Sequence, residues 1–470
     1  MKRYYLAIDI GASSGRHILA HLHNGKIETE EIYRFPNGMI EKDGMLCWDL
    51  EELFTEIKAG MKKCGEIGKI PVSVGIDTWA VDFVLLDEHH QVLGNAVAYR
   101  DDRTKKMDEK VYSSISEEEL YQRNGIQKQL FNSIYQLMAV KEQSPSQLKK
   151  THAFLMIPDY FHYRLTGKMA TEYTNATTTQ LVHAQSKTWD MDLIEKLGYP
   201  KNIFQRILIP GSELGTFTDE IQKEIGYDCK VVLPATHDTG SAVIAVPSNQ
   251  EETLYISSGT WSLLGTELKS ANCSDLSKAC NFTNEGGYGY RFRFLKNIMG
   301  LWMIQSMKKE IGEHLGFGEI CELASQQKIS SIVDCNDSRF LAPINMTKEV
   351  QAACRETGQR VPEGIAEVAA VIYNSLAKCY AEAIRELESI SGQHYDWIYI
   401  VGGGANADYL NRLTARVTSR GVFAGPAEAT AVGNLAVQMI AAKELKDLAD
   451  ARSCIYQSFT IHKYEKERSV

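Results

Sequence analysis

Residues 8–16 read IDIGASSGR, and their reading decides the fold. Gly11 and Gly15 bracket a turn of small residues between two apolar runs, so the chain reads as two strands reversing at a glycine-hinged turn. An echo comes much later: residues 255–265 read YISSGTWSLLG and again join β-branched or aromatic runs through small hydroxyl residues and a glycine. Two such hairpins in one chain predict two related halves.

Working outward from 8–16, residues 4–10, 16–23 and 26–34 read as consecutive strands, with Asn24-Gly25 as a hairpin signal between the last two. Asp49 then caps a helix with Glu52 at its third position, and Leu50, Leu53, Phe54, Ile57 and Met61 recur on one apolar face. A buried-looking strand at 72–77 enters GIDTWAVDF, and 84–87 is a further strand before a turn at 89–94. Three strands, a helix and another strand give an α/β class. Residues 100–225 carry more helix signals and polar loops, as an insertion or lid would.

At 470 residues the chain exceeds one ordinary domain, which runs to about 50–250 residues. The polar segment VPSNQEE, 246–252, places the boundary, giving domains 1–245 and 246–470 with a cleft between them. In the second, strands reach about 267, an amphipathic helix is predicted over 298–311 and a long helix over 365–390. An apolar strand at 397–401 runs into GGGAN and a helix over 407–418.

Composition bounds the function. Hydrophobic content of 44% and charged content of 24% are ordinary for a folded protein. A net charge of -9 with dispersed basic residues argues against a nucleic-acid groove or a membrane-surface patch. No apolar run approaches a membrane span or an export signal, and the ten cysteines form no C-x-x-C pair or zinc-type cluster. Reduced thiols in the cytoplasm are expected. The sequence carries no signal for an oligomeric state.

Several constellations carry chemistry. In the 8–16 turn, backbone amides with the Ser13 and Ser14 hydroxyls offer donors, Arg16 offers a cation for phosphate, and Asp9 suits magnesium through water. Alone, such a turn serves geometry as readily as binding. Ser257 to Thr260 would supply amides and hydroxyls from the other half, and Gly402 to Gly404 would let a flat adenine or ribose lie against backbone. No G-x-x-x-x-G-K-[ST] is present, so any nucleotide is held without a P-loop. In PATHDTGSA, at a strand-to-helix turn, Asp238 suits orienting an acceptor hydroxyl and taking its proton, with His237 and Thr239 on the sugar; a helix cap is the competing reading. Asp77 and Asp82 around Trp79 suit a polyol, or else a capped strand end with a core tryptophan. Asn297, placed at a helix start, offers both a donor and an acceptor.

Together DIGASSGR, GIDTWAVDF, AYRDDRT, MIPDYFHYRLTGK, EYTNATTTQL, THDTGSAV, SSGTWSL, LKNIMGLW and VGGGAN resemble the FGGY carbohydrate kinases over nearly the whole chain. The resemblance implies two ribonuclease-H-like domains of the actin and hexokinase type with an interdomain cleft, the first binding sugar and the second nucleotide. GIDTWAVDF, EYTNATTTQL and LKNIMGLW are similar to the subgroup that phosphorylates O1 of L-rhamnulose with ATP and Mg2+. Carried over by position, Ala12, Ser13, Ser14, Gly15 and Arg16 with Thr260, Gln305 and Gly403 would contact ATP. Asp238 would be the proton acceptor, and Ala80, His237, Thr239 and Asn297 would contact sugar. The family motif has glycine where this chain has Ala80, which bears on sugar preference. Two other functions stay open: a kinase of another ketose such as L-fuculose or xylulose, and a non-catalytic sugar-responsive regulator on the same fold.

Overall fold

The computed structural model describes residues 2–341 and 343–466. The chain divides into two compact units: Met1–Ala245 with Glu267–Phe294 and Thr430–Ser458, and Val246–Thr266 with Leu295–Ala429 and Phe459–Val470.

In the first unit β1 (Tyr4–Ile10), β2 (Ser14–His23) and β3 (Lys26–Pro36) form an antiparallel meander. Asn24 and Gly25 both take left-handed φ values, 51° and 75°, which is what a two-residue hairpin turn of matching twist requires. β2 starts two residues before the expected strand because Ser14 and Gly15 already pair with Pro36 and Phe35. On its other side β1 pairs in parallel with the strand Pro71–Thr78, and the sheet continues through Lys230–Val232 to Glu213–Thr216.

The crossover helix α1 (Leu50–Glu66) begins as its sequence dictates, with Asp49 accepting from the Glu52 amide at 3.0 Å. Its apolar face, Leu50, Leu53, Phe54, Ile57 and Met61, is buried in the sheet core with Leu6, Ile8, Val74 and Ile76. Where the helix crosses β2, a Cβ on Gly60 would lie 2.4 Å from the His17 ring, so only glycine lets the two elements approach this closely. Residues 100–225 are mostly short helices, and many pack into a second core around Tyr135, Phe154, Met156, Trp189 and Phe204. This core joins the rest through the strand pair Phe83–Leu86 and Ala153–Met156.

The second sheet repeats the plan. The strand Leu254–Ser258 pairs antiparallel with Trp261–Leu268 and, on its other side, parallel with Trp397–Val401, which pairs parallel with Gly421–Ala424. Its seven-stranded order places Phe292–Met299 next to Trp261–Leu268, so three meander strands and two parallel strands recur as in the first sheet. The two glycine hairpins thus occupy equivalent places, and the α/β ribonuclease-H-like expectation holds for both sheets. The helix Gly364–Ser391 buries one long face from Val368 to Leu387.

One expectation fails: residues 298–311 are not a single helix. Phe292–Met299 is a strand, and the helix is Trp302–Ile311. Residues 292–295 and 298–299 are buried on both strand faces, and a short continuous apolar run carries no period to separate strand from helix. At Gly300 an added Cβ would lie 2.5 Å from Trp261 and 2.7 Å from Thr260 backbone, so the chain turns against the hairpin before the helix starts. Among the described residues no helix is long and apolar enough to cross a membrane. All ten cysteines are thiols.

Candidate active site

Sheet register assembles the first-unit site. Across the hairpin Asp9 lies opposite Arg16, and across the parallel pair it lies opposite Asp77, so the three form one row over three strands. Arg16 donates to Asp9 Oδ2 through Nε at 3.0 Å and an Nη nitrogen at 2.8 Å. In the turn between them Ala12 and Ser13 are exposed and Ser14 is half-buried. Gly15 has a structural reason, since a Cβ there would lie 2.1 Å from the Phe35 ring. The turn is tied down from β3's end: the Gly11 amide donates to Ser14 O at 2.9 Å, and Asn37 donates its side-chain amide to Gly11 O at 2.8 Å.

The strand Pro71–Thr78 delivers the next carboxylate. Asp77 is fully buried, and Asn434 donates to its Oδ2 at 2.6 Å. Burial and the neighbouring Asp9 hold its carboxyl well above the usual range, against the Asn434 hydrogen bond. The next residue, Thr78, bridges in parallel to His237, and its amide donates to Thr236 O at 2.9 Å, which sets the Asp238 turn beside the row.

Asp238 opens the helix Asp238–Ile244, with His237 in the cap position making no side-chain cap bond. The capping reading of Asp238 therefore gives way: its Oδ1 accepts from the Thr239 amide at 2.5 Å and Thr239 Oγ1 at 3.1 Å. His237 Nε2 lies 3.4 Å from the same oxygen. Among the described residues no donor reaches Oδ2, and the side chain is 34% exposed. Burial raises the Asp238 pKa, with His237 opposing and Asp9 adding to the rise. Behind His237 stand Arg293, fully buried, and Glu285; Arg293 pairs with Glu285 Oε2 at 3.0 Å. Sequence reasoning missed both, because neither sits in a motif and only tertiary side-chain contacts bring them to the turn.

Asp82 corrects the polyol reading of GIDTWAVDF. Its Oδ2 accepts from Trp48 Nε1 at 2.7 Å, Trp79 Nε1 at 2.9 Å and the Tyr99 amide at 3.1 Å, and Oδ1 accepts from Gln136 at 2.9 Å. Burial pushes its pKa up to about 6 against these four bonds. Asp82 and the buried Asp77 are thus engaged by the protein, and Trp79 is 7% exposed. Between them Ala80 is half-buried, and Val81 takes a φ of 67°, a strained setting for a β-branched residue. Ser133 Oγ and Gln136 Nε2 hold it by donating to Val81 O at 2.5 and 3.2 Å.

The second unit gathers its own set. Thr260 is exposed at the hairpin tip, where Gly259 O and Thr260 O accept from the Leu301 and Trp302 amides at 2.9 and 3.2 Å. This fixes the start of the helix that carries the half-buried Gln305. In the glycine triplet a Cβ on Gly402 would lie 2.9 Å from Ser258 O, and one on Gly404 would lie 2.0 Å from Ser258 Oγ. Those two glycines serve the contact with the hairpin, and exposed Gly403 alone has open space for a ligand. Asn297 is a half-buried residue of the strand Phe292–Met299, not a helix start. A cavity of about 360 Å³ lined by Tyr112, Tyr121, Lys128, Tyr135 and Lys278 in the first unit includes none of these residues.

The carboxylates suit a hydrated divalent cation. Asp9 and Asp238 raise the proton affinity of the buried Asp77, and Asp9 raises that of Asp238, so a divalent cation held through water would offset the negative charge gathered there.

Comparison with known proteins gives the family. Residues 4–245 match the model of the FGGY family of carbohydrate kinases, N-terminal domain, and residues 254–442 match the C-terminal domain of the same family. A rhamnulokinase from Halalkalibacterium halodurans is 53% identical over 461 residues, covering 98% of this chain and 98% of that protein. One from Oceanobacillus iheyensis is 50% identical, covering 99% of each, and one from Bacillus subtilis is 46% identical, covering 97% of this chain and 94% of the relative. Among solved structures, a ligand-bound xylulose kinase from Lactobacillus acidophilus aligns with a TM-score of 0.80 at 15% identity, over 99% of this chain and 94% of that one. A Plasmodium falciparum glycerol kinase with ADP aligns with a TM-score of 0.78 at 14% identity, over 98% and 94%. At those identities the structures speak for the fold, while the family models and full-length relatives go further: the chain belongs to the FGGY family of carbohydrate kinases.

Proposed function

We propose that this chain transfers the γ-phosphoryl group of ATP to O1 of L-rhamnulose, giving L-rhamnulose 1-phosphate and ADP. The observation that carries the reading is Asp238: at a strand-to-helix turn one carboxylate oxygen is held by Thr239 with His237 3.4 Å away, and among the described residues no donor reaches the other. The relatives at 46–53% identity, all rhamnulokinases, direct the choice of sugar.

In this reading Asp238 takes the proton of the O1 hydroxyl as O1 bonds to the γ-phosphorus and the bond to the ADP oxygen breaks. His237, Thr239, Ala80 and Asn297 orient the sugar. Residues 12–16 with Thr260, Gln305 and Gly403 hold the nucleotide; apart from residues 12–16 and Asn297, residues 1–245 serve sugar and base and residues 246–470 serve ATP. Mg2+, held by Asp9 through water, supplies positive charge to the phosphates when bound. Ten thiols without a disulfide suit the reducing cytoplasm.

The test is an ADP-release assay with L-rhamnulose, L-fuculose and xylulose in parallel. The reading expects L-rhamnulose to be turned over with the highest kcat/KM; preference for another ketose overturns the substrate, and tight sugar binding without ADP release overturns the kinase. Asp238→Asn should keep sugar affinity and lose turnover by about 10²- to 10⁴-fold; turnover near wild type would remove Asp238 as the base.

A further inference from the structure

His237 is held from behind by the two residues no motif singled out. An Arg293 Nη nitrogen lies 3.0 Å from His237 Nδ1, and Glu285 Oε2 lies 3.3 Å from the same nitrogen. Arg293 is fixed in its turn, donating through Nε to Gly286 O at 2.8 Å and pairing with Glu285 at 3.0 Å. On the far side of the ring Nε2 faces Asp238 Oδ1 at 3.4 Å.

A guanidinium only donates hydrogen bonds, so the nitrogen it bonds must accept. With Nδ1 as acceptor the ring proton sits on Nε2, on the side of the ring nearer Asp238. Packing alone would not select this arrangement. Arg293 is fully buried and its Nη1 has no hydrogen-bond partner among the described residues, so an apolar side chain would fill the space at lower cost.

We propose that Arg293 and Glu285 form a positioning pair that fixes His237 as the Nε2–H tautomer, so that an N–H and not a lone pair faces Asp238 Oδ1 and the carboxylate keeps Oδ2 toward the acceptor hydroxyl. Its effect on turnover rests on the reading of Asp238 as the base. Without Arg293 the imidazole proton moves to Nδ1, where Glu285 accepts it, and Nε2 turns a lone pair on the Asp238 carboxylate. Beside the buried imidazole that repulsion displaces the carboxylate.

Two measurements test the pair on the full chain. Side-chain ¹⁵N spectra of histidine-labelled protein, assigned with His237→Gln, should show His237 protonated on Nε2 in the wild type and on Nδ1 in Arg293→Met. Turnover of L-rhamnulose by Arg293→Met should fall by about 10- to 100-fold with the KM for ATP unchanged, and Arg293→Lys, which can still donate, should recover part of it. A wild-type spectrum with the proton on Nδ1 overturns the proposal without any variant having to fold. So does an Arg293→Met enzyme with wild-type kcat, or Lys and Met variants that are equally impaired. A wild type with the Nε2 proton that phosphorylates no ketose would instead sink the kinase reading and leave the pair standing.

Discussion

Asn434 donates its side-chain amide to Asp77 Oδ2 at 2.6 Å and also reaches Gly75 O at 3.0 Å, joining the strand Pro71–Thr78 to the helix Ala429–Ala441 far along the chain. Asp77 is fully buried and its Oδ1 has no partner, so Asn434 is the donor that makes this carboxyl tolerable. Asn434→Ala leaves a buried acceptor unsatisfied, which costs about 1–3 kcal/mol. Urea unfolding should show a lower midpoint with an unchanged slope. In a double-mutant cycle with Asp77→Ala the two losses should add to more than the double variant loses.

The residue before Asn434 sets where the Asp238 turn sits. A Cβ on Gly433 would lie 1.8 Å from Ser241 O and 2.7 Å from Ser241 C, and backbone atoms cannot turn aside as a side chain can. Gly433→Ala must therefore move the helix Asp238–Ile244 that begins with Asp238. Overpacking of this kind costs about 1–3 kcal/mol. A base displaced by about 1 Å loses on the order of 10²-fold in turnover. Expected together are a lowered melting temperature and a kcat that falls far more than the remaining folded fraction explains. Full kcat in the folded fraction would mean that the helix does not position Asp238.

His17 gives a pH signature. Its Nε2 donates to Ile57 O at 3.0 Å, Nδ1 has no partner, and burial lowers its pKa to about 4 from 6.5. The folded state binds this proton less well than the unfolded chain, so the stabilisation is complete above pH 6.5 and is lost as pH falls toward 4. Between pH 7 and 5 the loss is about 2 kcal/mol. Buried carboxyls such as Asp82, with pKa raised to about 6, contribute with the opposite sign, so the comparison must be differential. Urea unfolding of wild type and His17→Gln at both pH values should show the wild type losing about 2 kcal/mol more than the variant on acidification. Equal losses would mean that His17 takes up a proton in the folded state.

How far the sequence reaches depends on how local the cause is. Asn24-Gly25 and the Asp49 cap are read correctly because their physics lies within four residues: left-handed φ in one case, an exposed helix amide in the other. The paired hairpins at Gly11 and Gly259 are legible for the same reason, and with them the repeated sheet plan. Asn297 misleads as a helix start because the helix that follows begins at Trp302 with no side-chain cap at all, held instead by carbonyls of Gly259 and Thr260. Asp82 reads as a free acceptor because its four donors come from Trp48, Trp79, Tyr99 and Gln136, spread over separate elements. Arg293 and Glu285 reach His237 through tertiary side-chain contacts more than 45 residues apart in the chain, which leave no trace in local spacing.

The glycine triplet yields the last prediction, because its three members differ. A Cβ on Gly404 would lie 2.0 Å from Ser258 Oγ and 2.4 Å from Ser258 Cβ, whereas nothing lies within 4 Å of one on Gly403. If the loop holds nucleotide, the two substitutions to alanine fail in different ways. Gly404→Ala forces the 402–404 loop off the hairpin strand Leu254–Ser258, so it should lower stability by about 1–3 kcal/mol and raise the KM for ATP. Gly403→Ala leaves the fold intact, since its position is exposed, and places a methyl where the ligand would lie. Its melting temperature should match wild type while the KM for ATP rises several-fold and the KM for the sugar does not. A Gly403→Ala enzyme with wild-type KM for ATP would take Gly403 out of the nucleotide site and leave the triplet a purely structural contact with Ser258.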